Sequence, residues 1–373
     1  MTVEYDDDND LLEGESKEES SFNDSVYPAE VRVNREQYAC SHIKTLVEKR
    51  HEVELSPDFQ RNDVWKNNQK SELIESILMG IPIPVIYLFE NKDGIKQVVD
   101  GKQRISTIID FQNEKITLKN LKILYELNNK TFSQLPPKLQ AKFEDYQLFC
   151  YIIQPPTPER IKYDIFDRVN RAGTSINHQE MREALYRGVA TDILKKLCDS
   201  PEFLNATENG ISPNRRKDHY IVLRCLAFML IYNKHEEIIQ LNGSEIEYRS
   251  DMDDFLAKIM IFLNEKADEN IIDYCIDGFI SAMKRTIKIM GADAFRLPSK
   301  GYTRRPINMP LFEMMVYILA DKRSETSPVL TKTLINNFKE EWDKDEDFQK
   351  SNMDSNLKII NRFDEAKKIL EQL

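Results

Sequence analysis

Pro82 and Pro84, in the run Gly80-Ile81-Pro82-Ile83-Pro84-Val85, constrain this chain more firmly than any other feature of its sequence. Before them, Asn68–Gly80 carries Leu73, Ile74, Ile77 and Leu78 at helical spacing and ends on a glycine suited to a left-handed stop. Neither proline can donate a helical hydrogen bond, and each forces the residue before it towards an extended backbone. The helix therefore ends, and the chain leaves it extended into a strand from Val85 to Phe89. Asn91-Lys92-Asp93-Gly94 then separates Val85–Glu90 from the alternating run Ile95–Val99, which predicts a hairpin. After Asp100-Gly101 a helical pattern begins at once, with Ile105, Ile108 and Ile109 on one face.

Around this helix–hairpin–helix unit, Ile43–Lys49 reads as a short helix, and His51–Leu55 and Gln147–Ile153 as strands. From Thr157 the pattern is helical. Thr157 and Pro158 suit the cap and first position of a helix to Arg171, and Asn177 with Glu180 resembles a capping box for a helix to Arg187. Further helices are expected over 190–199, 218–235, 251–290, 308–321, 329–346 and 355–371. The expected fold class is α+β, in three parts. These are an acidic tail over 1–30, a mixed domain over 31–156 and a mostly helical domain over 157–373.

Charge distribution matters more than its total. The first thirty residues hold eleven carboxylates against Lys17, which accounts for ten of the net −11. The tail is expected to be a disordered polyanion, and the nearly neutral body has room for local basic patches. No apolar run reaches the ~18–20 residues of a membrane span, so no membrane partner is expected. The N-terminus lacks the basic and apolar regions of a secretory signal. Cys40, Cys150, Cys198, Cys225 and Cys275 are widely spaced, without a paired-cysteine metal motif or disulfide framework. A reducing, cytoplasmic setting follows.

The junction Asp100-Gly101-Lys102-Gln103-Arg104 is the run most suited to chemistry. The first turn of a helix presents unbonded backbone N–H groups and the positive end of the helix dipole. Gly101 lets a ligand approach the backbone, Lys102 adds a point charge, and Arg104 can fork onto phosphate oxygens. Together they read as a phosphate cradle. Asp100 would oppose phosphate unless Mg²⁺ intervenes or it meets a ribose hydroxyl, and its other reading is a plain N-cap. Gln103 suits either a water or a base edge. A second polar cluster, Gln60 and Arg61, lies beside Phe59 and Trp65, and a third comprises Arg168, Asn170 and Arg171. Arg215, Arg216, Arg224, Arg304 and Arg305 form further basic groups, each alone best read as a solvated or salt-bridged face.

Four motifs occur in fixed order: "PDFQRNDVW", "KSELIESILMGIPIPVIYL", "VVDGKQRISTIIDF" and "FDRVNRAGTSINHQEMREALYRG". Over about residues 35–225 the chain resembles the N-terminal domain of GmrSD-type restriction endonucleases. The resemblance implies a fold similar to ParB and sulfiredoxin. It also implies a module that binds and often hydrolyses a nucleotide in bacterial defence against foreign or modified DNA, and the chemistry of the junction makes the expected cofactor a nucleoside triphosphate with Mg²⁺. The family signature is Asp-Gly-Gln-Gln-Arg, and here Lys102 replaces its first glutamine. Carried over, the resemblance assigns catalytic roles to Asp100, Gln103 and Arg104. Nucleotide contacts go to Gln60, Arg61, Gly101, Lys102, Arg104, Asn170 and Arg171, and metal binding to Asp100. Many relatives carry an HNH nuclease domain, but this chain's histidines, His42, His51, His178, His219 and His235, form no such pattern. The expected function is therefore an NTP-dependent sensor or regulator acting with a separate nuclease or effector chain, with a homo-oligomer left open. The alternatives are a ParB-like DNA-binding module without turnover and a nuclease in its own right.

Overall fold

The computed structural model describes residues 32–55, 65–91, 93–155, 157, 165, 168, 177–232, 240–241, 243–298, 304–344 and 353–373. The acidic tail and most of the expected Thr157–Arg171 helix lie outside these residues. The chain divides into two units, one ending at Leu185 and the other running from Tyr186 to Leu373. The first is mixed and the second mostly helical, an α+β chain as expected.

In the first unit the elements run β1 (Arg32–Ala39), α1 (Cys40–Glu48), β2 (Val53–Glu54), α2 (Asn67–Met79), β3 (Ile86–Glu90), β4 (Lys96–Asp100), α3 (Lys102–Gln112), α4 (Pro137–Glu144), β5 (Gln147–Gln154) and α5 (His178–Leu185). The five strands form one sheet in the order β1-β5-β3-β4-β2. β1 pairs antiparallel with β5, β5 parallel with β3, β3 antiparallel with β4, and β4 parallel with β2.

The proline argument holds. α2 stops at Gly80, whose φ of 80° is left-handed, and its N–H returns to Ile77 O and Ser76 O. The hairpin turn is closed by Asn91, whose Oδ1 accepts from the N–H groups of Asp93 and Ile95 at 2.9 Å. One sheet face, Ile86, Leu88, Val98, Leu148, Cys150 and Ile152, joins Ile43 and Leu46 of α1, Ile74 and Ile77 of α2, Ile105 and Ile108 of α3, and Phe143 of α4 in a single core. Phe111, Phe132 and Phe143 make edge-to-face and tilted contacts inside it. Glu75 of α2 ties the α3–α4 connection to this core. Its Oε1 accepts from Ile123 N and Leu124 N at 2.8 Å, and its Oε2 from Lys122 N. Burial pushes this carboxyl up, but the three backbone donors outweigh that and hold it below the ordinary carboxylate range.

Two first-unit elements have little apolar signature in sequence. β1 is an edge strand with exposed Arg32, Val33, Asn34 and Arg35, and eight-residue pairing with β5 fixes it. α4 begins on Pro137 and buries only Phe143. The hairpin also contains a register shift. Leu88 pairs with Val98, but Tyr87 pairs with Asp100, leaving Val99 as an extra residue in β4. This is a β-bulge.

The second unit contains α6 (Val189–Cys198), α7 (Pro201–Thr207), α8 (Lys217–Tyr232), the short strands β6 (Gln240–Leu241) and β7 (Ser244–Glu245), α9 (Met252–Glu265), α10 (Glu269–Arg285), α11 (Met309–Ala320), α12 (Arg323–Thr326), α13 (Pro328–Lys344) and α14 (Asn356–Glu371). The expected single helix over 251–290 is two, because Asp268 caps a fresh start by accepting from Ile271 N at 2.9 Å. α11 is buried almost all round and packs on α8, α10 and α14. Its Glu313 bridges Arg224 of α8 and Arg362 of α14, all fully buried. Asp354 adds a bidentate pair to Arg224 at 2.6 and 3.1 Å. Among the described residues no helix is long and apolar enough to cross a membrane.

Candidate functional site

The strand-to-helix junction is built by β4, one residue of left-handed backbone, and α3. Asp100 is the last residue of β4, and Gly101 caps α3 with φ 102° and ψ 9°. A side chain is excluded there. A Cβ on Gly101 would lie 2.9 Å from Ile86 Cγ1 and 3.2 Å from Arg104 Nη2. The glycine turns the chain within one residue, so α3 starts directly at the strand end. Ile105 N donates to Gly101 O at 2.9 Å, and by helix geometry the amides before it have no acceptor within the helix. Ile105, Ile108, Ile109 and Phe111 anchor the helix in the core.

Arg104 lies back across the junction. Its Nη2 donates to Asp100 Oδ2 at 2.7 Å and to Val85 O at 3.2 Å, linking α3 to both strands of the hairpin. The Arg104 side chain is 13% exposed and that of Asp100 33%, so the pair sits at the rim and not in the core. Gln103 Oε1, Arg104 Nε and Thr107 Oγ1 are buried without a hydrogen-bond partner. These residues fall at i, i+1 and i+4 of the first turns of α3. Buried polar atoms are normally satisfied, so the unpaired Arg104 Nε donor and Gln103 Oε1 acceptor in the first turn of α3 call for an explanation. The junction thus combines a guanidinium, a helix N-terminus and a glycine that keeps the backbone clear, a donor set suited to an anion.

Asp100 is the one carboxylate of the Asp100–Arg104 run. Its Oδ2 is engaged by Arg104, and the partial exposure of the group suits a hydrated Mg²⁺, which takes one or two carboxylates beside phosphate oxygens. The bulge at Val99 matters here. Without it Asp100 would lie opposite Ile86 on the core side, whereas the shift places it opposite Tyr87. Nothing in the sequence signals that shift.

The other expected residues have separate fates. Gln60, Arg61, Asn170 and Arg171 lie outside the described residues, and Arg168 is an exposed helical residue. In the second unit, Arg224 belongs to the buried Glu313 network. Arg304 pairs with Asp293 at 2.8 Å and with Glu208, and Arg305 pairs with Asp343. These arginines are neutralised locally. Arg215 and Arg216 occupy left-handed backbone before α8. Among the described residues, Cys198, Asp218 and His219 bring three ligand-type atoms within 4.8 Å of one another, a cluster that sequence spacing did not suggest. Arg216 Nη1 lies 3.4 Å from His219 Nε2, an unfavourable neighbour for a cation.

Residues 43–187 match the family model described as GmrSD restriction endonuclease, N-terminal domain. No curated protein matches the chain. No solved structure matches it either.

Proposed function

We propose that this chain, whose residues 43–187 form a GmrSD N-terminal domain, is a nucleotide-dependent component of a restriction or anti-phage system. In this reading the phosphates of a nucleoside triphosphate are held at the β4–α3 junction. The observation that carries it is the Arg104 guanidinium, whose buried Nε has no hydrogen-bond partner, standing at a helix N-terminus cleared by Gly101. Arg104 would turn from Asp100 to phosphate oxygens or share itself between them, and Lys102 adds charge at the rim. Asp100 would hold Mg²⁺, which neutralises phosphate charge when bound. Gln103 Oε1 offers an acceptor to a water near the phosphates. Gln60, Arg61, Asn170 and Arg171 complete the proposed contacts. A separate chain would carry the effector activity.

Calorimetric titration of Arg104→Ala tests the site. Removing a charge-assisted hydrogen bond of ~1.5–3 kcal/mol should weaken nucleotide binding by roughly tenfold to a hundredfold. Asp100→Ala should depress phosphate release more than binding, with partial rescue by added Mg²⁺. Two folded variants that bind and turn over nucleotide like the parent would remove the junction from the site. Phosphate release measured with and without DNA separates a switch from a DNA-binding module. Incubating plasmid with the protein alone tests for intrinsic nuclease activity.

A further inference from the structure

Beside the junction, on the sheet face away from the core, lies a cavity of about 330 Å³ lined by Val33, Arg35, Tyr87, Tyr151, Ile153 and Ile165. Its floor comes from three adjacent strands. Val33 pairs with Ile153 and Arg35 with Tyr151 across β1 and β5, and Tyr87 pairs with Tyr151 across β3 and β5. Tyr87 and Tyr151 meet edge to face, with centroids 5.5 Å apart at 69°, and the Arg35 guanidinium lies 5.4 Å from the Tyr151 ring centroid. Both tyrosines are half-buried and Val33 is exposed, so the aromatic surface is open to a ligand.

Position gives this surface a meaning. Tyr87 is the partner of Asp100 in the bulged register, and directly opposed residues of an antiparallel pair project to the same face. The bulge that moves Asp100 from Ile86 to Tyr87 therefore joins the aromatic cavity to the Asp100–Arg104 junction. A cavity of this size with apolar walls, two aromatic rings and one guanidinium over a ring is suited to a flat heteroaromatic ring. An anion site beside it supplies the other half of a nucleotide.

We infer that the Tyr87–Tyr151–Arg35 cavity takes the base of the nucleotide whose phosphates meet Gly101–Arg104, an inference that rests on the nucleotide reading above. The base stacks on one tyrosine face with the other ring edge-on to it and the Arg35 guanidinium at its side, and this contact distinguishes a nucleoside triphosphate from bare polyphosphate.

The test titrates full-length protein, with Mg²⁺, against each of the four common ribonucleoside triphosphates and against inorganic tripolyphosphate. Wild type should bind at least one nucleotide more tightly than tripolyphosphate. Tyr151→Leu keeps apolar volume but removes the aromatic face, and should weaken nucleotide binding by about tenfold while leaving tripolyphosphate unchanged. Tyr151→Phe should retain nucleotide affinity, and Arg35→Ala, at an exposed edge position, should lower it several-fold. The inference is overturned if tripolyphosphate binds as tightly as every nucleotide, or if folded Tyr151→Leu and Arg35→Ala proteins bind nucleotide like wild type. In either case tripolyphosphate binding that is lost in Arg104→Ala would leave the phosphate site standing. If neither nucleotide nor tripolyphosphate binds wild type, the nucleotide reading fails and the base cavity falls with it.

Discussion

Gly101→Ala is the sharpest structural perturbation available at the junction. The residue sits at φ 102°, outside the basins open to L side chains, and holding alanine there costs ~1–3 kcal/mol. The new Cβ would also lie 2.9 Å from Ile86 Cγ1, and Ile86 is fully buried in the sheet core. Relieving that contact moves a packed side chain, a further ~1–3 kcal/mol. A total of ~2–6 kcal/mol is expected for the first unit. Gly94→Ala is the matched control. Its φ is 80° and a Cβ there meets nothing within 4 Å, so only the backbone term of ~1–2 kcal/mol remains. The chain's two tryptophans, Trp65 and Trp342, fall one in each unit, so a Trp342→Phe background leaves Trp65 to report unfolding of the first. Urea midpoints at unchanged slope give the two losses. In an Ile86→Ala background the Gly101→Ala penalty should fall towards that of Gly94→Ala, the remainder being the 3.2 Å approach of the new Cβ to Arg104 Nη2. Equal losses in the parent background would refute the steric account of Gly101.

Glu75→Gln should cost ~1–3 kcal/mol by weakening acceptance from the backbone of Lys122–Leu124, read as a lower urea midpoint. Because the folded carboxyl titrates below its unfolded value, wild type's advantage should be full above about pH 4.3 and shrink as pH falls through the lower folded value. Lys339 is buried, donates to Asp293 O at 2.8 Å, and is pushed down to about 8 by burial. Below that value its folded state carries a desolvation penalty, which is relieved as pH rises towards the unfolded value of about 10.4. The stability difference between wild type and Lys339→Met should therefore shift in favour of wild type across that window, and a flat difference would contradict it. Glu313→Gln should destabilise the helical unit by ~3–5 kcal/mol, since it leaves two buried guanidiniums without their shared carboxylate. A melting temperature within a degree of the parent would refute that.

Local rules were enough for the elements that surround the junction. Pro82 and Pro84 forbid helix, Gly80 ends one, Asn91 closes a turn with its own side chain, and the Ile105–Ile109 spacing starts another helix. Each is a short-range consequence of backbone sterics or hydrogen bonding, so each was visible in the residues themselves. The Asn177–Glu180 capping box is likewise local, and its reciprocal bonds form at 2.8 and 3.0 Å. β1 was not visible, because an exposed edge strand needs no apolar alternation and is fixed by a partner more than a hundred residues away. The break at Asp268 was missed because an apolar period runs through both helices and only a side-chain cap divides them. The sequence itself determined that Asp100, Gly101 and Arg104 would stand where a strand becomes a helix. Tertiary structure decided that Arg104 reaches back to Asp100 and Val85, and that a one-residue bulge sets Asp100 opposite Tyr87. Register is set by the pairing of whole strands, and no single residue in β4 encodes it.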